Sequence, residues 1–381
     1  MNHKRILVML ACLLVLTGCA HKDNPTDENI PTQNNVVEGE SGGYSIITPF
    51  KSSLLRQIYA QNYREIDTIE IGRRLQDISK NYFSPKDYLV SEGSVITIAR
   101  YNELVTSRSD SNPYGLNPER NSSPFIENVV DAQGVVTGQI SIPNPRFVKS
   151  LYEVNFYKDA NRETLSGVSI AVVLNRHQTY DAELGLTYPI SDNSLYQVAN
   201  DMIAMQLNAY LRTLPNMKDV PVMISFYVQD STQDNIVGNY LPGKFIGHGL
   251  FEGNNASTAL KKNVEMWYLL NSNEASVNVP DTYSNFNLFK NKVKTFLDDE
   301  SIGVVGQAFT VNNNVEEIQI DINLGAKTEL EIYGLTQYLS TTITDLSSIN
   351  VPTVVHVKMF QNSRAIITYK PGSTPVVQFL Y

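Results

Sequence analysis

Two blocks of the chain repeat one order of elements, and this restricts the fold more than any other feature. The first block runs GVSIAVVLN at 167–175, a helical stretch from Leu195 to Leu214, VPVMISFYVQ at 220–229 and NYLPGKFIGHG at 239–249. The second runs EIQIDINLG at 317–325, a helix from Glu329 to about Leu346, VPTVVHVKMFQ at 351–361 and TYKPGSTPVVQFLY to Tyr381. Both read strand, helix, strand, strand. Two landmarks set the alignment: Val220-Pro221 against Val351-Pro352, and Tyr-x-Pro-Gly at 240–243 against 369–372. Self-similarity of this kind marks a repeated supersecondary unit.

Each element has a local cause. Thr328 with Glu331 forms a capping box at the start of the second helix, and Ile332, Leu335, Leu339, Ile343 and Leu346 recur at helical spacing. In the first helix Asp192, Asn193 or Ser194 can cap, Leu195, Val198, Ala199, Met202 and Met205 share a face, and Pro215 ends it. The Val-Pro strands alternate: Val222, Ile224, Phe226 and Val228 face one side, as do Thr353, Val355, Val357 and Met359. Outside the blocks, a helix is expected through Ile71, Leu75 and Ile78, a loop over 107–124, and an amphipathic helix through Phe286, Phe289, Val293 and Phe296. The expected fold is α+β, two related repeat domains, each a mainly antiparallel sheet packed with helices. The first spans 44–251 and the second 252–381, joined near FEGNNASTAL at 251–260.

The N-terminus carries a different signal. Lys4 and Arg5 precede an uncharged apolar run of eleven residues, Ile6 to Leu16, which has the form of a signal-peptide core. As a helix it reaches only ~16 Å, about half of a bilayer's ~30 Å hydrocarbon core. Something else must anchor the protein. Leu16-Thr17-Gly18-Cys19 resembles a lipobox, so cleavage is expected after residue 18, with a lipid on Cys19 holding the chain to the outer face of the cell membrane. Cys12 leaves with the signal peptide, and the mature body has neither thiol nor disulfide. Residues 19–43 lack aromatics and are rich in Asn, Asp, Glu, Pro and Gly, which suits a disordered tether. The net charge of −9 falls to about −11 once Lys4 and Arg5 are lost, which argues against a nucleic-acid partner. No later run is long and apolar enough to span a bilayer, so the rest is expected to be soluble.

Together the lipobox, the acidic tether, IGRRLQDISKNYFSPKDYLVSEGSVI at 71–96, GLNP at 115–118, GVSIAVVLN and the paired VP and YxPG blocks resemble the CamS sex pheromone lipoproteins of low-GC Gram-positive bacteria. It is the order of these motifs that is specific. The resemblance implies two related domains without an established activity, and a signal peptide trimmed to a short hydrophobic peptide that induces conjugative transfer. Here that peptide would be ACLLVLTG, Ala11 to Gly18.

Chemistry-bearing patterns are sparse. His21, His177, His248 and His356 occur in no HExxH, no close pair and beside no cysteine, so no metal or other cofactor is expected. There is no GxSxG, P-loop or GxGxxG. Asp181 with Glu183 and Asp298 with Asp299 are candidate carboxylate pairs whose separation the sequence does not show. Asp230, Ser231, Asp234 and Asn235 could contact a cation but read first as a solvated hairpin, and Gly247-His248-Gly249 fits a histidine at a pocket edge and a strand-end turn equally well. On the repeat alignment Ser225 and Tyr227 correspond to His356 and Lys358, on the strand face opposite the aliphatic one, and these four are the expected binding residues of a groove. No catalysis is expected. The readings are ranked as a non-catalytic lipoprotein and pheromone precursor, then a binder of peptide or glycan, then a cell-envelope hydrolase. Expected partners are the membrane, lipoprotein-processing enzymes and an unidentified ligand or envelope component.

Overall fold

Alternating apolar residues set the strands, and the computed structural model describes them over residues 36–380, apart from 41, 230–240, 254–258, 345–349 and 361. Two large sheets hold most of these strands. The first sheet holds, side by side and in chain order, β1 (Val36–Val37), β2 (Ile46–Ile47), β3 (Leu89–Glu92), β4 (Val148–Tyr157), β5 (Leu165–Leu174), β6 (Val222–Val228), β7 (Lys244–Phe251) and β8 (Lys261–Lys262). The second holds β9 (Glu265–Leu269), β10 (Gly303–Val311), β11 (Asn314–Leu324), β12 (Thr353–Met359), β13 (Asn362–Tyr369) and β14 (Val376–Phe379). From β3 to β8 successive pairs run antiparallel, antiparallel, parallel, antiparallel, antiparallel. The series from β9 to β14 is the same.

Helices pack on these sheets: α1 (Thr68–Ser79), α2 (Ile98–Val105), α3 (192–213, with a π-helical turn at Ala199–Ile203), α4 (Pro280–Leu297) and α5 (Glu329–Thr342). A parallel pair needs a crossover, and α3 supplies it between β5 and β6 as α5 does between β11 and β12. The protein is thus α+β, with sheets packed against helices. The Val-Pro landmark holds at the level of single atoms. The Pro221 carbonyl accepts from Val168 N at 3.0 Å, and the Pro352 carbonyl accepts from Ile318 N at 3.0 Å. The Tyr-x-Pro-Gly landmark does not. Pro242-Gly243 leads into β7, whereas Tyr369 to Gly372 leaves β13 for β14, so by pairing β7 corresponds to β13 and the second copy of the motif falls one strand late. Pro-Gly suits any turn at a sheet edge and so fixes no register.

Other local expectations meet the structure in varied ways. The Thr328–Glu331 capping box is present, and Ile332, Leu335, Leu339 and Ile343 are buried, while Leu346 lies outside the described residues. The cap of α3 is Ser191, whose side chain accepts from Ser194 N. Asp192 instead binds Arg176 and Lys244. Val36 and Val37, placed by composition in the tether, already pair with Ile47 and Ile46, as a β-branched pair can despite its polar surroundings. β8 still belongs to the first sheet, so the second begins at Glu265.

The two sheets differ in how they are covered. On one face of the first, α3 places Leu195, Ile203, Leu207 and Leu211 against Ile170, Val172, Ile224 and Phe226. On the other, α1 places Ile71, Leu75 and Ile78 against Val173, Met223, Tyr227 and Phe245. A buried Ile or Leu is worth roughly 1.5–3 kcal/mol, so three of them fix α1 firmly on that face. In the second sheet α4 and α5 cover one face through Phe286, Phe289, Val293, Leu335 and Leu339. The opposite face keeps Gln307, Gln319, Asp321, His356 and Lys358 partly exposed.

The sheets meet where α1 reaches β9. Glu265, its side chain 2% exposed, accepts from Arg74 Nη2 at 2.9 Å, from Phe245 N at 3.0 Å and from Asn263 Nδ2 at 3.1 Å. The Arg74 guanidinium also lies 4.3 Å from the centre of the Phe309 ring, which packs against Trp267 at 4.9 Å. Removing one partner strands the other charge in a dry site. Arg74→Ala is therefore expected to destabilise the urea transition reported by Trp267 fluorescence by about 3–5 kcal/mol. A change below about 0.5 kcal/mol would mean that water screens the pair as on an open surface.

Candidate functional site

The uncovered face of the second sheet follows from β11, whose sequence NVEEIQIDINL alternates. Ile318, Ile320 and Ile322 face the helices, and Glu317, Gln319, Asp321 and Asn323 face away. Beside it, β12 runs parallel with His356 opposite Asp321. Lys358 Nζ donates to Asp321 Oδ1 at 2.8 Å. Where α1 approaches this face a cleft of about 290 Å³ opens, with Asp67, Ile69 and Glu70 on one wall, Pro242 beside them, and Val305, Gln307, Gln319 and Asp321 on the other. Ile69 is 82% exposed at its rim.

Polar contacts tie the walls together. Arg73 grips both oxygens of Glu70, at 2.9 and 3.0 Å, and reaches Glu317 at 3.0 Å. Glu317 in turn accepts from Gln319 Nε2 at 2.7 Å. Asp67 caps α1 by accepting from Glu70 N at 3.0 Å. Burial pushes the Glu70 carboxyl above its ordinary range, and Arg73 and Arg74 pull against it. The acids of the cleft are thus engaged, one as a cap and two in ion pairs. A ligand rich in N–H or O–H donors matches this lining.

Of the four expected binding residues the structure keeps two at a surface. His356 and Lys358 lie on the open face next to Asp321. Ser225 and Tyr227 line no groove, for both are fully buried beneath α1. Ser225 Oγ donates to the Ile170 carbonyl at 3.3 Å, and the Tyr227 ring meets Phe245 edge-on at 5.1 Å. The two strands look alike in period, but β6 carries no charge between Val222 and Val228, which is the mark of a strand buried on both faces. Sequence reading passed over Asp67, Glu70, Gln307, Gln319 and Asp321. The alternation of β11 held the signal for Gln319 and Asp321; nothing local marked the others.

Further candidates resolve into structural roles. Gly247-His248-Gly249 is the middle of β7 and not a turn, and a Cβ at Gly247 would lie 2.9 Å from the Tyr196 ring. His248 Nδ1 donates to Asn263 Oδ1 at 2.5 Å. Asp181 turns a hairpin by accepting from Glu183 N, and Lys327 and Ser301 hold Asp299 well below the usual carboxylate range. Among the described residues no group of three His, Cys, Asp or Glu could hold a metal ion. Asp230, Ser231, Asp234 and Asn235 lie outside them, as do Cys19 and Tyr240.

The profile of a family described as CamS, sex pheromone cAM373 precursor, matches residues 50–375. A crystal structure of a sex pheromone precursor from Lactobacillus salivarius superposes with a TM-score of 0.73 at 21% identity, covering 91% of this chain and 99% of that one. The C-terminal domain of the sex pheromone staph-cAM373 precursor from Staphylococcus aureus gives 0.61 at 20% identity, over 81% and 94%. These two likenesses concern the fold. No curated protein matches the chain.

Burial holds His356 below the ordinary imidazole value of about 6.5, with Asp321 opposing and Lys358 assisting the shift. A lowered folded value means that the unfolded chain takes up the proton first. The stability due to neutral His356 is therefore whole above about 6.5 and is lost as pH falls through the folded value. Proton NMR of the ring, assigned with His356→Gln, should give a midpoint below 6.5, and the acid loss of stability should shrink in that variant. A midpoint at or above 6.5 would contradict this burial.

Proposed function

Because the chain belongs to the CamS family of sex pheromone precursors, we propose that it is a lipoprotein held by a lipid on Cys19 to the extracellular face of the cell membrane, with a non-catalytic body and a signal peptide that yields a hydrophobic pheromone. The observation that carries this is LTGC, placed directly behind a charged start and an eleven-residue apolar core in a chain of this family. No helix among the described residues is long and apolar enough to cross a membrane, which is compatible with a lipid anchor. β1 begins at Val36, so from Cys19 the chain could reach at most about 60 Å. The body would then work close to the bilayer.

For the peptide, ACLLVLTG offers a receptor little but side chains. Each buried Leu or Val contributes roughly 1.5–3 kcal/mol, so a few support tight binding before association costs are deducted. Shape then sets specificity. A second reading, a surface lipoprotein that binds peptide or glycan, is favoured by the acceptor-lined cleft between α1 and the second sheet. The third reading, a cell-envelope hydrolase, would require two convergent acid groups with perturbed pKa values in one cleft.

Two measurements test the proposal. Metabolic palmitate labelling should be lost in Cys19→Ala; labelling that survives would remove the anchor from this cysteine. Mass spectrometry of culture supernatant should find a fragment ending at Thr17 or Gly18, absent when an unrelated lipoprotein signal replaces residues 1–18. Normal accumulation of mature protein with no such fragment would end the pheromone reading.

A further inference from the structure

On the first domain, away from the cleft, three arginines converge in a chain whose overall charge is −9. Arg108, Arg120 and Arg146 line one cavity of about 360 Å³, together with the hydroxyls of Ser107 and Ser109, and Glu119 is the one carboxylate among its lining residues. Arg120 and Arg146 are exposed and make no ion pair among the described residues. Arg108 is half-buried. Its Nη2 is shielded from solvent with no hydrogen-bond partner among the described residues, and its Nε reaches only the Gly115 carbonyl at 3.5 Å.

The backbone beneath these side chains is fixed by two buried amides. Asn117 donates to the Val105 and Val148 carbonyls at 2.8 and 3.0 Å and accepts from Val148 N at 2.8 Å, and its own carbonyl takes Arg108 N at 2.9 Å. Gln178 accepts from Arg146 N at 2.8 Å and donates to the Arg146 carbonyl at 3.0 Å. Gly115 closes the loop so tightly that a Cβ there would lie 2.7 Å from Arg108 N. The backbones of Arg108 and Arg146 are therefore held on a prepared frame. Three like charges brought together against one carboxylate repel one another until an anion joins them. Guanidinium forks fit oxyanions in pairs of hydrogen bonds, and a tetrahedral phosphate with three terminal oxygens offers more acceptor positions to three arginines than a carboxylate does.

We propose that this cavity is a binding site for a phosphate group, with Arg108, Arg120 and Arg146 as its ligands. The proposal is independent of the cleft and of the pheromone reading. The group could be carried by a soluble phosphate or by a lipid head group. Isothermal titration of the full chain in nonionic detergent at low salt should show saturable binding of inorganic phosphate. Affinity should fall at least about tenfold when Arg108→Ala and Arg146→Ala are combined, and less for Arg108→Lys, which keeps the charge but loses the fork. Circular dichroism checks that the double variant is folded; if it is not, Arg120→Ala, which changes an exposed side chain, takes its place. Tighter binding of dioctanoylphosphatidic acid, a phosphomonoester, than of inorganic phosphate, with dioctanoylphosphatidylcholine inert, would identify a lipid head group as the source. Equal or weaker binding would identify a soluble phosphate. An intact chain with no saturable phosphate binding, or a folded variant that binds as well as the parent, would overturn the proposal.

Discussion

The guanidinium of Arg74, set between the Glu265 carboxylate and the Phe309 ring, is the contact on which the arrangement of the two sheets rests. It sits on α1, the helix that also seals the outer face of the first sheet with Ile71, Leu75 and Ile78. About two turns of that helix therefore serve two interfaces. Arg73 beside it extends the link through Glu317 to Gln319, so the polar wall of the cleft is held to the same helix. The network continues from Glu265 through Asn263 to His248, which burial keeps below the ordinary imidazole range.

How much of this could be read beforehand depends on how far apart the interacting residues stand in the chain. The capping box at Thr328, the helical spacing of α5 and the alternation of β6 and β12 are properties of a few neighbouring residues, and sequence reading places them correctly. The cover over β6 is different in kind. It comes from α1, about 150 residues upstream, and no local pattern in VMISFYV says which helix will lie on Ser225 and Tyr227. His356 and Lys358 occupy the matching strand of the second sheet and stay at the surface because the two residues between β8 and β9 leave no room for a helix of its own to cover that face. The cleft was illegible for the same reason, since Asp67 and Glu70 meet Gln307 and Gln319 only after the two sheets have come together. The Tyr-x-Pro-Gly motif misled in another way, since its Pro-Gly stands before β7 in one copy and after β13 in the other.

Charge is partitioned over the molecule rather than spread evenly. The cleft between the sheets presents carboxylates and amides, with its cations, Arg73 and Lys358, already committed to partners. The cavity on the first sheet's side of the molecule gathers Arg108, Arg120 and Arg146, none of them in an ion pair among the described residues. Two surfaces of opposite character on one body suit two ligands of opposite chemistry, and the acidic balance of the whole chain makes the basic one the exception in need of a cause.

In both sheets the order of strands in space is the order of strands in the chain, β1 to β8 and then β9 to β14. Each strand lies against the one before it, and none has to be threaded between two that are already joined. Two residues separate the end of β8 from the start of β9, so the chain finishes one sheet and begins the next almost without interruption. A polypeptide delivered from its N-terminus can therefore lengthen each sheet at a single advancing edge, with every newly made segment finding its neighbour already in place.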